Sequence, residues 1–360
     1  AEIEADGSFT VTKHPGTGGL VSVGTITAQL LYETKAPAYY NPDVIAHFDT
    51  MKVEQVGEDR VYVSDCRGSS PPSTHKVCVN TLGAYKQSIE VLLTGLDIEK
   101  KAEIYVDQIF HNLGGKEQFT DVDIHLIRSD KEDPASNEEA HAALRITITS
   151  DDPSKLGRLL QAKVTELGLA AIPGNTGRGA AGYNGNPVIA YWPTLIDSRK
   201  VTERVHINGD LIEVLPTQRL GLEERYYQEV PVKIPPAPGG DTTRIPFGRL
   251  FGTRSGDKGG AANCGVWAKT DEAFGFLHEF LTVEKFKELA PDMASYKIER
   301  FDLPNLRALN FYIHDVLGEG VSSNHRIDKQ AKSLCEYLRA KTIEAPTLLV
   351  DQIARTNLNE

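Results

Sequence analysis

Short stretches in which apolar and polar residues alternate predict β-strands, because successive side chains of a strand point to opposite faces of its sheet. Phe9 to Lys13 and Val122 to Ile127 show this alternation. Residues 50–64 hold two β-rich runs separated by Gly57-Glu58-Asp59, which predicts a hairpin. The other strands predicted before residue 200 lie at 76–94 (a pair of strands), 143–149 and 188–191.

Other stretches repeat apolar residues every three or four positions, which is the spacing of one helix face. Helices are predicted in this way at 21–33, 97–113 and 152–167. After residue 240 the predicted elements are strands at 244–250, 263–268, 296–301 and 307–313 and helices at 271–290 and 325–341. Their order predicts a small sheet with helices packed on one face.

The 360 residues are enough for two domains. Val232 to Gly240 contains three prolines, a composition typical of a linker. We therefore predict an α/β (α+β) protein with a mixed-sheet core domain over 1–230, a linker over 231–243 and a small α/β domain over 244–360.

The chain has a formal net charge of −11, which argues against a general nucleic-acid-binding protein with a basic surface. It holds no run of about 18 apolar residues, so no membrane span is predicted. Ala1 opens a polar stretch without a recognisable signal peptide, and the chain lacks an initiator Met, as in a processed chain or a fragment. The four cysteines, which are sparse and lack C-x-x-C spacing, are interpreted as free thiols of a cytoplasmic protein: Cys66, Cys78, Cys264 and Cys335.

The first of three glycine-rich loops lies between the strand at 9–13 and the helix at 21–33. Its glycines allow close backbone approach, and the amides at the start of the helix suit a phosphate or carboxylate. The alternative is a tight structural turn with Ser22 as the helix cap, because the loop matches neither G-x-G-x-x-G nor a P-loop. The candidate anion-binding residues here are His14, Gly16, Thr17, Gly18, Gly19 and Ser22.

The second loop, residues 174–186, contains five glycines and is too polar for a core. Long loops without secondary structure are usually functional or disordered. Asn175 and Arg178 are the candidate ligand-binding residues, since a guanidinium can clamp a carboxylate or phosphate. A loop without a binding role is the alternative.

The third loop, Thr253 to Gly260, carries the candidate catalytic residues Arg254, Asp257 and Lys258. A Lys beside an Asp can clamp charge or carry a proton, provided that burial or a neighbouring cation such as Arg254 lowers the lysine pKa. The alternative is a solvated ion pair on a turn, worth under about 1 kcal/mol. No metal or redox motif accompanies these residues, so neither a metal nor a cofactor is predicted.

Two separated motifs of the chain resemble the acyclic terpene utilisation (AtuA-like) family. They are His14-Pro15-Gly16-Thr17-Gly18-Gly19-Leu20-Val21-Ser22 with Ala28-Gln29-Leu30-Leu31-Tyr32-Glu33, and Arg254-Ser255-Gly256-Asp257-Lys258-Gly259 with Ala262-Asn263. The resemblance implies the second half of the family's core domain up to about residue 215 and, from about 245, its C-terminal domain with a ferredoxin-like α/β sandwich fold. It adds Ser255, Gly256, Gly259 and Asn263 to the candidate binding site, and it implies a role in the catabolism of branched acyclic terpenoids as acyl-CoA thioesters.

The chain departs from the family's pattern in two respects. The family's core usually begins with a further nucleotide-binding-like α/β segment, and nothing in this sequence corresponds to it. If that segment forms part of the site, this chain holds half a site, or the rest lies on another chain. The family also commonly has Asn after Asp-Lys-Gly, where this chain has Gly260.

Three functional hypotheses follow. The first is an enzyme, or a component of one, that acts on a small anionic metabolite, namely a branched acyl-CoA thioester or carboxylate; the absence of redox and metal motifs favours lyase or hydratase chemistry. The second is a non-catalytic scaffold or oligomerisation subunit whose catalytic part lies elsewhere. The third is an acyl-ligand-binding protein. In each case we expect a homo-oligomer or a complex with a partner chain.

Overall fold

A computed structural model describes residues 1–170, 172–177, 185–214 and 233–357 of the protein. The described strands are β1 (Glu2–Ile3), β2 (Phe9–Val11), β3 (Ala38–Tyr40), β4 (Ile45–His47), β5 (Lys52–Gly57), β6 (Arg60–Ser64), β7 (Arg67–Ser69), β8 (Thr74–Thr94), β9 (Asp121–Ile127), β10 (His141–Ser150), β11 (Asn175–Gly177), β12 (Asn186–Asp197), β13 (Glu203–Ile207), β14 (Asp210–Val214), β15 (Thr242–Pro246), β16 (Phe251–Lys258), β17 (Ala261–Ala268), β18 (Ile298–Leu303), β19 (Ala308–Ile313) and β20 (Thr342–Pro346). The described α-helices are α1 (Val23–Leu30), α2 (Ile98–Asn112), α3 (Arg158–Gly168), α4 (Phe247–Leu250), α5 (Asp271–Phe280), α6 (Val283–Leu289), α7 (Leu334–Arg339) and α8 (Thr347–Asn357).

These elements form two compact units. The first unit comprises Ala1–Val79 and Tyr191–Glu360, and the second comprises Asn80–Ala190. The mixture of helices with antiparallel sheets confirms the α+β class. The domain boundaries expected at 230 and 244 rest on composition and stay a prediction, because compactness alone divides the chain at other positions.

The second unit is an antiparallel sheet covered by helices. Its strand order is β11-β8-β10-β9, and Ile146 at the centre of β10 lies opposite Ile89 on one neighbour and Ile124 on the other. Apolar residues of β8 and β10 form one core with the buried faces of α2 and α3. The predicted pair of strands over 76–94 was wrong: β8 is continuous, because its second half pairs with β10 along ten successive residues.

A four-stranded antiparallel sheet organises the C-terminal part of the first unit, in the order β16-β17-β19-β18. Alternation along β17 gives the sheet two different faces. Cys264 and Val266 belong to the main apolar core, together with residues of α5, α6 and α7. Gly265 lies between them in sequence and meets Leu31, just beyond the end of α1. The polypeptide after α1 therefore rests directly on the second face of this sheet.

Residues 253–258 were predicted to be part of a loop, and this was wrong. They belong to β16, which pairs with β17 from Phe251 opposite Ala268 to Lys258 opposite Ala261. Glycine content favours a loop, but here the glycines let other side chains lie against the strand: a Cβ on Gly252 would lie 2.2 Å from the Trp267 ring. Only the Gly259-Gly260 turn remains outside the hairpin strands.

Two other predicted elements near the C-terminus are shorter than expected. The predicted strand at 244–250 is β15 followed by the single turn α4, and the predicted helix at 325–341 is only α7. The β5–β6 hairpin and α2 agree closely with the predicted boundaries.

Two cysteines are joined, which corrects the expectation of four free thiols. Cys264 on β17 and Cys335 on α7 form a disulfide with a Cα–Cα separation of 5.8 Å, whereas Cys66 and Cys78 are free and exposed. The two cysteines are 71 positions apart in the sequence, which hides their proximity. Across the described ranges, no helix is long and apolar enough to cross a membrane.

Candidate functional site

Asp257 and Lys258 lie at the end of β16, which is an edge strand of the C-terminal sheet. Because neighbouring residues of a strand face opposite sides, their side chains diverge. Lys258 lies on the α1 side of the sheet, where its Nζ atom is 5.5 Å from the centroid of the Tyr39 ring. The Oδ1 atom of Asp257 is 3.7 Å from the ammonium group of Lys332, which lies just before α7.

Two buried asparagines hold the turn after α1 against this sheet. Asn263 donates from Nδ2 to the carbonyl oxygen of Leu31 at 2.6 Å, and its Oδ1 atom accepts from the backbone N–H of Glu33 at 3.0 Å. Asn310 donates to the carbonyl oxygens of Thr34 at 2.9 Å and Lys35 at 2.8 Å. Both side chains are fully buried. The predicted site residue Asn263 thus fixes the position of the Glu33 backbone.

Glycines make this close approach possible. A Cβ on Gly256 would lie 2.8 Å from side-chain carbons of both Tyr32 and Glu33. Gly259 has φ +66°, a conformation that side-chain-bearing residues seldom adopt. At Gly260 a Cβ would lie 2.0 Å from the carbonyl oxygen of Gly318. The Gly in place of the family's usual Asn therefore has a physical reason in this chain.

A charged network joins the turn after α1 to the strand edge. Lys332 donates to Oε1 of Glu33 at 2.5 Å and to the Tyr32 hydroxyl. The guanidinium of Arg254 stacks on the ring of the same Tyr32, 4.3 Å from the ring centroid. Arg254 is exposed, while Asp257 and Lys258 are half-buried.

The environment shifts the two half-buried groups in opposite directions. Burial lowers the pKa of Lys258, and the positive charge of Lys76 lowers it further. Burial raises the pKa of Asp257, and the negative charge of Glu33 adds to this increase. The nearby cation that lowers the pKa of Lys258 is thus Lys76 and not Arg254, the cation named from the sequence.

Lys76 also connects this cluster to a cavity in the first unit. The cavity has a volume of about 1100 Å³ and a largely apolar lining, to which Lys76 also belongs. The Nζ atom of Lys76 lies 5.4 Å from the centroid of the Tyr191 ring, whose hydroxyl is 3.5 Å from Sγ of Cys78. The other lining residues include Tyr40, Pro42, Pro72, Val77, Leu195, Ile196 and Val201.

The first glycine-rich loop lies at the opposite end of α1 from this cluster. The helix has eight residues, which corresponds to a length of about 12 Å. Ser22 is its N-cap and forms a reciprocal capping box with Thr25. The backbone N–H of Val21 donates to Asp59 at 2.8 Å, so a protein carboxylate already lies at the start of this helix. His14, Gly16, Thr17, Gly18 and Gly19 are exposed, and their predicted anion-binding role stays a prediction.

The remaining predicted residues have other surroundings. Asn175 belongs to the second unit, where its Nδ2 atom donates to the carbonyl oxygen of Leu167 at the end of α3. Arg178 lies outside the described residues. Ser255 is buried, and its hydroxyl accepts from the backbone N–H of Cys335 at 3.1 Å. Ligand binding by these residues stays a prediction.

The sequence did not single out several residues that surround Lys258. Lys76 and Lys332 lie far from it along the chain and belong to no motif. Glu33 and Tyr32 were part of the motif by which the chain resembles the family, and that was the available signal. Within the described ranges, no three His, Cys, Asp or Glu side chains are grouped so that they could hold a metal ion, and the predicted lack of a metal remains a prediction.

Comparison with known families tests the proposed resemblance. Residues 1–207 match the family model described as acyclic terpene utilisation family protein AtuA. Residues 245–344 match the model of the AtuA ferredoxin-like domain. No curated protein and no solved structure matched the chain. The two family matches cover most of the sequence, in the order expected from the motifs, and the chain therefore belongs to the acyclic terpene utilisation AtuA family.

Proposed function

We propose that this protein is an enzyme, or the proton-transferring part of one, that acts on a branched acyl-CoA thioester or carboxylate. The observation that carries the proposal is the pair Asp257–Lys258. Its two pKa values move toward each other, because burial raises the pKa of the acid and lowers that of the base. Such opposite shifts in neighbouring groups are a frequent feature of acid–base sites.

Lys258 is the group we assign to proton transfer. A neutral amine can remove a proton from the carbon next to a carbonyl group, and the resulting ammonium can return it. Its depressed pKa increases the neutral fraction near neutral pH. The Tyr39 ring lies beside it, and the partial burial of the amine disfavours its charged form.

Asp257 and Arg254 supply charge around this amine. The carboxyl group of Asp257 lies on the other side of the strand, held by Lys332 at 3.7 Å, so it influences Lys258 through space and not by a direct contact. Arg254 is exposed on the Tyr32 ring, a position from which it can attract an anionic substrate. Reversible proton removal next to a carbonyl is a step shared by many lyases and hydratases.

The apolar cavity favours a substrate with a hydrocarbon part. A lining of Pro, Val, Leu and Ile side chains suits branched aliphatic chains, and the volume of about 1100 Å³ is ample for a small acyl group. Membership of a family named for acyclic terpene utilisation agrees with a branched acyl substrate.

A ligand screen followed by product analysis tests the proposal. The protein is tested by thermal shift against branched acyl-CoA thioesters and free branched acids, and compounds that stabilise it are then assayed for turnover. We expect turnover of at least one class by the wild-type protein and its loss in Lys258→Met. Lys341→Met is the matched control, because Lys341 also lies over a tyrosine ring, 4.4 Å from the Tyr337 centroid, but outside the site.

The outcomes separate the competing hypotheses. Stabilisation without turnover supports an acyl-ligand-binding protein and contradicts the enzyme. No stabilisation by any compound supports the scaffold hypothesis. Equal turnover in the wild type and Lys258→Met contradicts the role of Lys258.

A further inference from the structure

Cys78 is a free, exposed thiol that belongs to the lining of the apolar cavity. It lies on β8, and its Sγ atom is 3.5 Å from the hydroxyl oxygen of Tyr191 on the neighbouring strand β12. The second free thiol, Cys66, is not among the lining residues of this cavity. A nucleophilic side chain therefore lies where the hydrocarbon part of a ligand would pack.

Lys76 provides positive charge on the same side of the strand. It precedes Cys78 by two positions on β8, so both side chains extend from the same face. Its Nζ atom is 5.4 Å from the centroid of the same Tyr191 ring that contacts the thiol. Hydrogen bonding to Tyr191 raises the pKa of Lys76, so this side chain keeps its charge at neutral pH. A neighbouring ammonium group favours the thiolate, which is the nucleophilic form of cysteine.

The carboxylate that lines the same cavity belongs to Glu203, and its Oε1 atom is 3.8 Å from Nε2 of His75. Cys66 has different surroundings from Cys78. Partial burial raises the pKa of the Cys66 thiol, and the negative charge of Asp49 adds to this increase. The two free thiols of the chain therefore differ in the sign of the charge beside them, and Cys66 is a natural internal control.

Tyr191 brings the thiol close to the residue that we assign to proton transfer. A Cβ on Gly259, the residue after Lys258, would lie 2.9 Å from a ring carbon of Tyr191. The backbone N–H of Tyr191 donates to the carbonyl oxygen of Glu319 at 3.1 Å, which fixes the position of this residue. One phenol thus contacts both the Cys78 thiol and the turn that follows Lys258.

We propose that Cys78 is an acylation site, whose thiol accepts the acyl group of an acyl-CoA thioester with its hydrocarbon part in the apolar cavity. The thiolate sulfur attacks the carbonyl carbon and forms a new carbon–sulfur bond, and the carbon–sulfur bond to coenzyme A breaks. The departing coenzyme A thiolate takes up the proton that Cys78 released, so the exchange needs neither an oxidant nor a reductant. The Tyr191 phenol and the Lys76 ammonium are donors for the carbonyl oxygen as it becomes negative.

Acyl transfer to Cys78 rests on the proposed function for its substrate class, an acyl-CoA thioester, but not on proton removal by Lys258. Because one thioester replaces another, the carbon next to the carbonyl group keeps its acidity on the protein. Cys78 would therefore retain the acyl group near Lys258 after coenzyme A has left.

The reactivity of the thiol is tested first, with limiting iodoacetamide on the full chain followed by peptide mass spectrometry. We expect Cys78 to be alkylated about tenfold faster than Cys66. Lys76→Met should remove most of this difference, and Lys76→Arg, which keeps the charge, should preserve it. Lys341→Met is the control for the loss of a lysine over a tyrosine ring.

Acyl transfer itself is tested with isovaleryl-CoA, an acid quench and intact-mass spectrometry of the full chain. We expect one isovaleryl group on the wild type, and its release by hydroxylamine identifies a thioester. Cys78→Ser should lose this group and Cys66→Ser should keep it. Lys258→Met should lose turnover and still accept the isovaleryl group, because attack at the carbonyl carbon does not require removal of the neighbouring proton.

Two results overturn the acylation site, whatever the alkylation rates: the absence of an isovaleryl thioester on the wild type, and acylation of Cys66 and Cys78 at equal rates. Turnover that depends on Lys258 without acylation of Cys78 overturns this inference alone. Acylation of Cys78 in a protein without turnover supports the acylation site and contradicts only the role of Lys258 in the proposed function.

Discussion

The side chains of Asn263 and Asn310 are hydrogen-bonded to each other at 2.9 Å in the interior of the first unit, and together they hold the backbone from Leu31 to Lys35. The turn fixed in this way carries Tyr32 and Glu33 to the edge of β16. Two buried amides therefore determine where the charged groups around Lys258 lie.

Removal of one of these amides is expected to cost stability and activity together. Asn263→Ala leaves the carbonyl oxygen of Leu31, the backbone N–H of Glu33 and Oδ1 of Asn310 without the bonds that Asn263 makes to them. The free energy of unfolding should therefore fall by about 3 kcal/mol. Urea denaturation measures this loss. Asn305→Ala is the control, because Asn305 also anchors two backbone carbonyls, those of Phe48 and Met51, away from the site. It should lower stability without lowering ligand affinity of the folded protein; equal effects of both variants on affinity would contradict the positioning role of Asn263.

The Gly260 turn is expected to reject any side chain. Gly260→Ala places a methyl group 2.0 Å from the carbonyl oxygen of Gly318, and the backbone must move, at a cost of about 2 kcal/mol. Gly18→Ala is the matched change in the first glycine-rich loop, where a Cβ meets nothing within 4 Å, and it should alter stability by less than about 0.5 kcal/mol. Thermal unfolding of the two variants provides the comparison. A neutral Gly260→Ala would show that the turn is not as tight as described.

The contribution of Asp257 to the stability of the fold should decrease as pH rises. Its folded-state pKa is raised above the ordinary value of 3.8, so the neutral carboxyl group contributes stability that is complete below that value and is lost as pH rises through the raised pKa. Asp257→Asn, which resembles the neutral form, should gain stability relative to the wild type between about pH 3 and pH 7. Urea denaturation at both pH values measures the difference.

Asp59 is the control, because its contribution to stability should change with pH in the opposite direction. The backbone N–H of Val21 and the ammonium of Lys13 lower its pKa, so its contribution is present above the ordinary value and is lost as pH falls. Asp59→Asn should therefore lose stability relative to the wild type over the same rise in pH. If the stability of both variants relative to the wild type changed in the same direction with pH, the burial assigned to Asp257 would be contradicted.

The rate of the catalysed reaction should increase with pH through the lowered pKa of Lys258, because the neutral amine is the active form. Lys76→Met removes one cause of this lowering, so the rising limb of the pH profile of kcat/KM should move to higher pH. The Lys341→Met profile should match that of the wild type. An unchanged limb in Lys76→Met would indicate that the limb belongs to another group.

The elements whose boundaries are set by neighbouring residues were predicted correctly from the sequence. The β5–β6 hairpin followed from two β-rich runs around Gly57-Glu58-Asp59, and α2 followed from the spacing of its apolar residues. The residues after Thr253 were misjudged, because their glycines accommodate Tyr32, Glu33 and Trp267 and do not mark a loop. That reason lies in contacts with distant parts of the chain.

The candidate site was predictable only in part for the same reason. Arg254, Asp257 and Lys258 lie in one motif, and the sequence placed them together. Lys332 and Glu33 are 299 positions apart, and Lys76 influences Lys258 from a different strand, so no spacing in the sequence reveals either relationship. The cysteine pair was missed in the same way, since Cys264 and Cys335 are 71 positions apart in the sequence.

Proton transfer by Lys258 is tested most directly by hydrogen–deuterium exchange at the carbon next to the carbonyl group of isovaleryl-CoA in D₂O, followed by proton NMR. This measurement requires no knowledge of the complete reaction. We predict loss of the α-proton signal with the wild type and with Lys341→Met, and retention of that signal with Lys258→Met. Exchange at equal rates in the wild type and Lys258→Met, with isovaleryl-CoA bound by both, would contradict the assignment of proton transfer to Lys258.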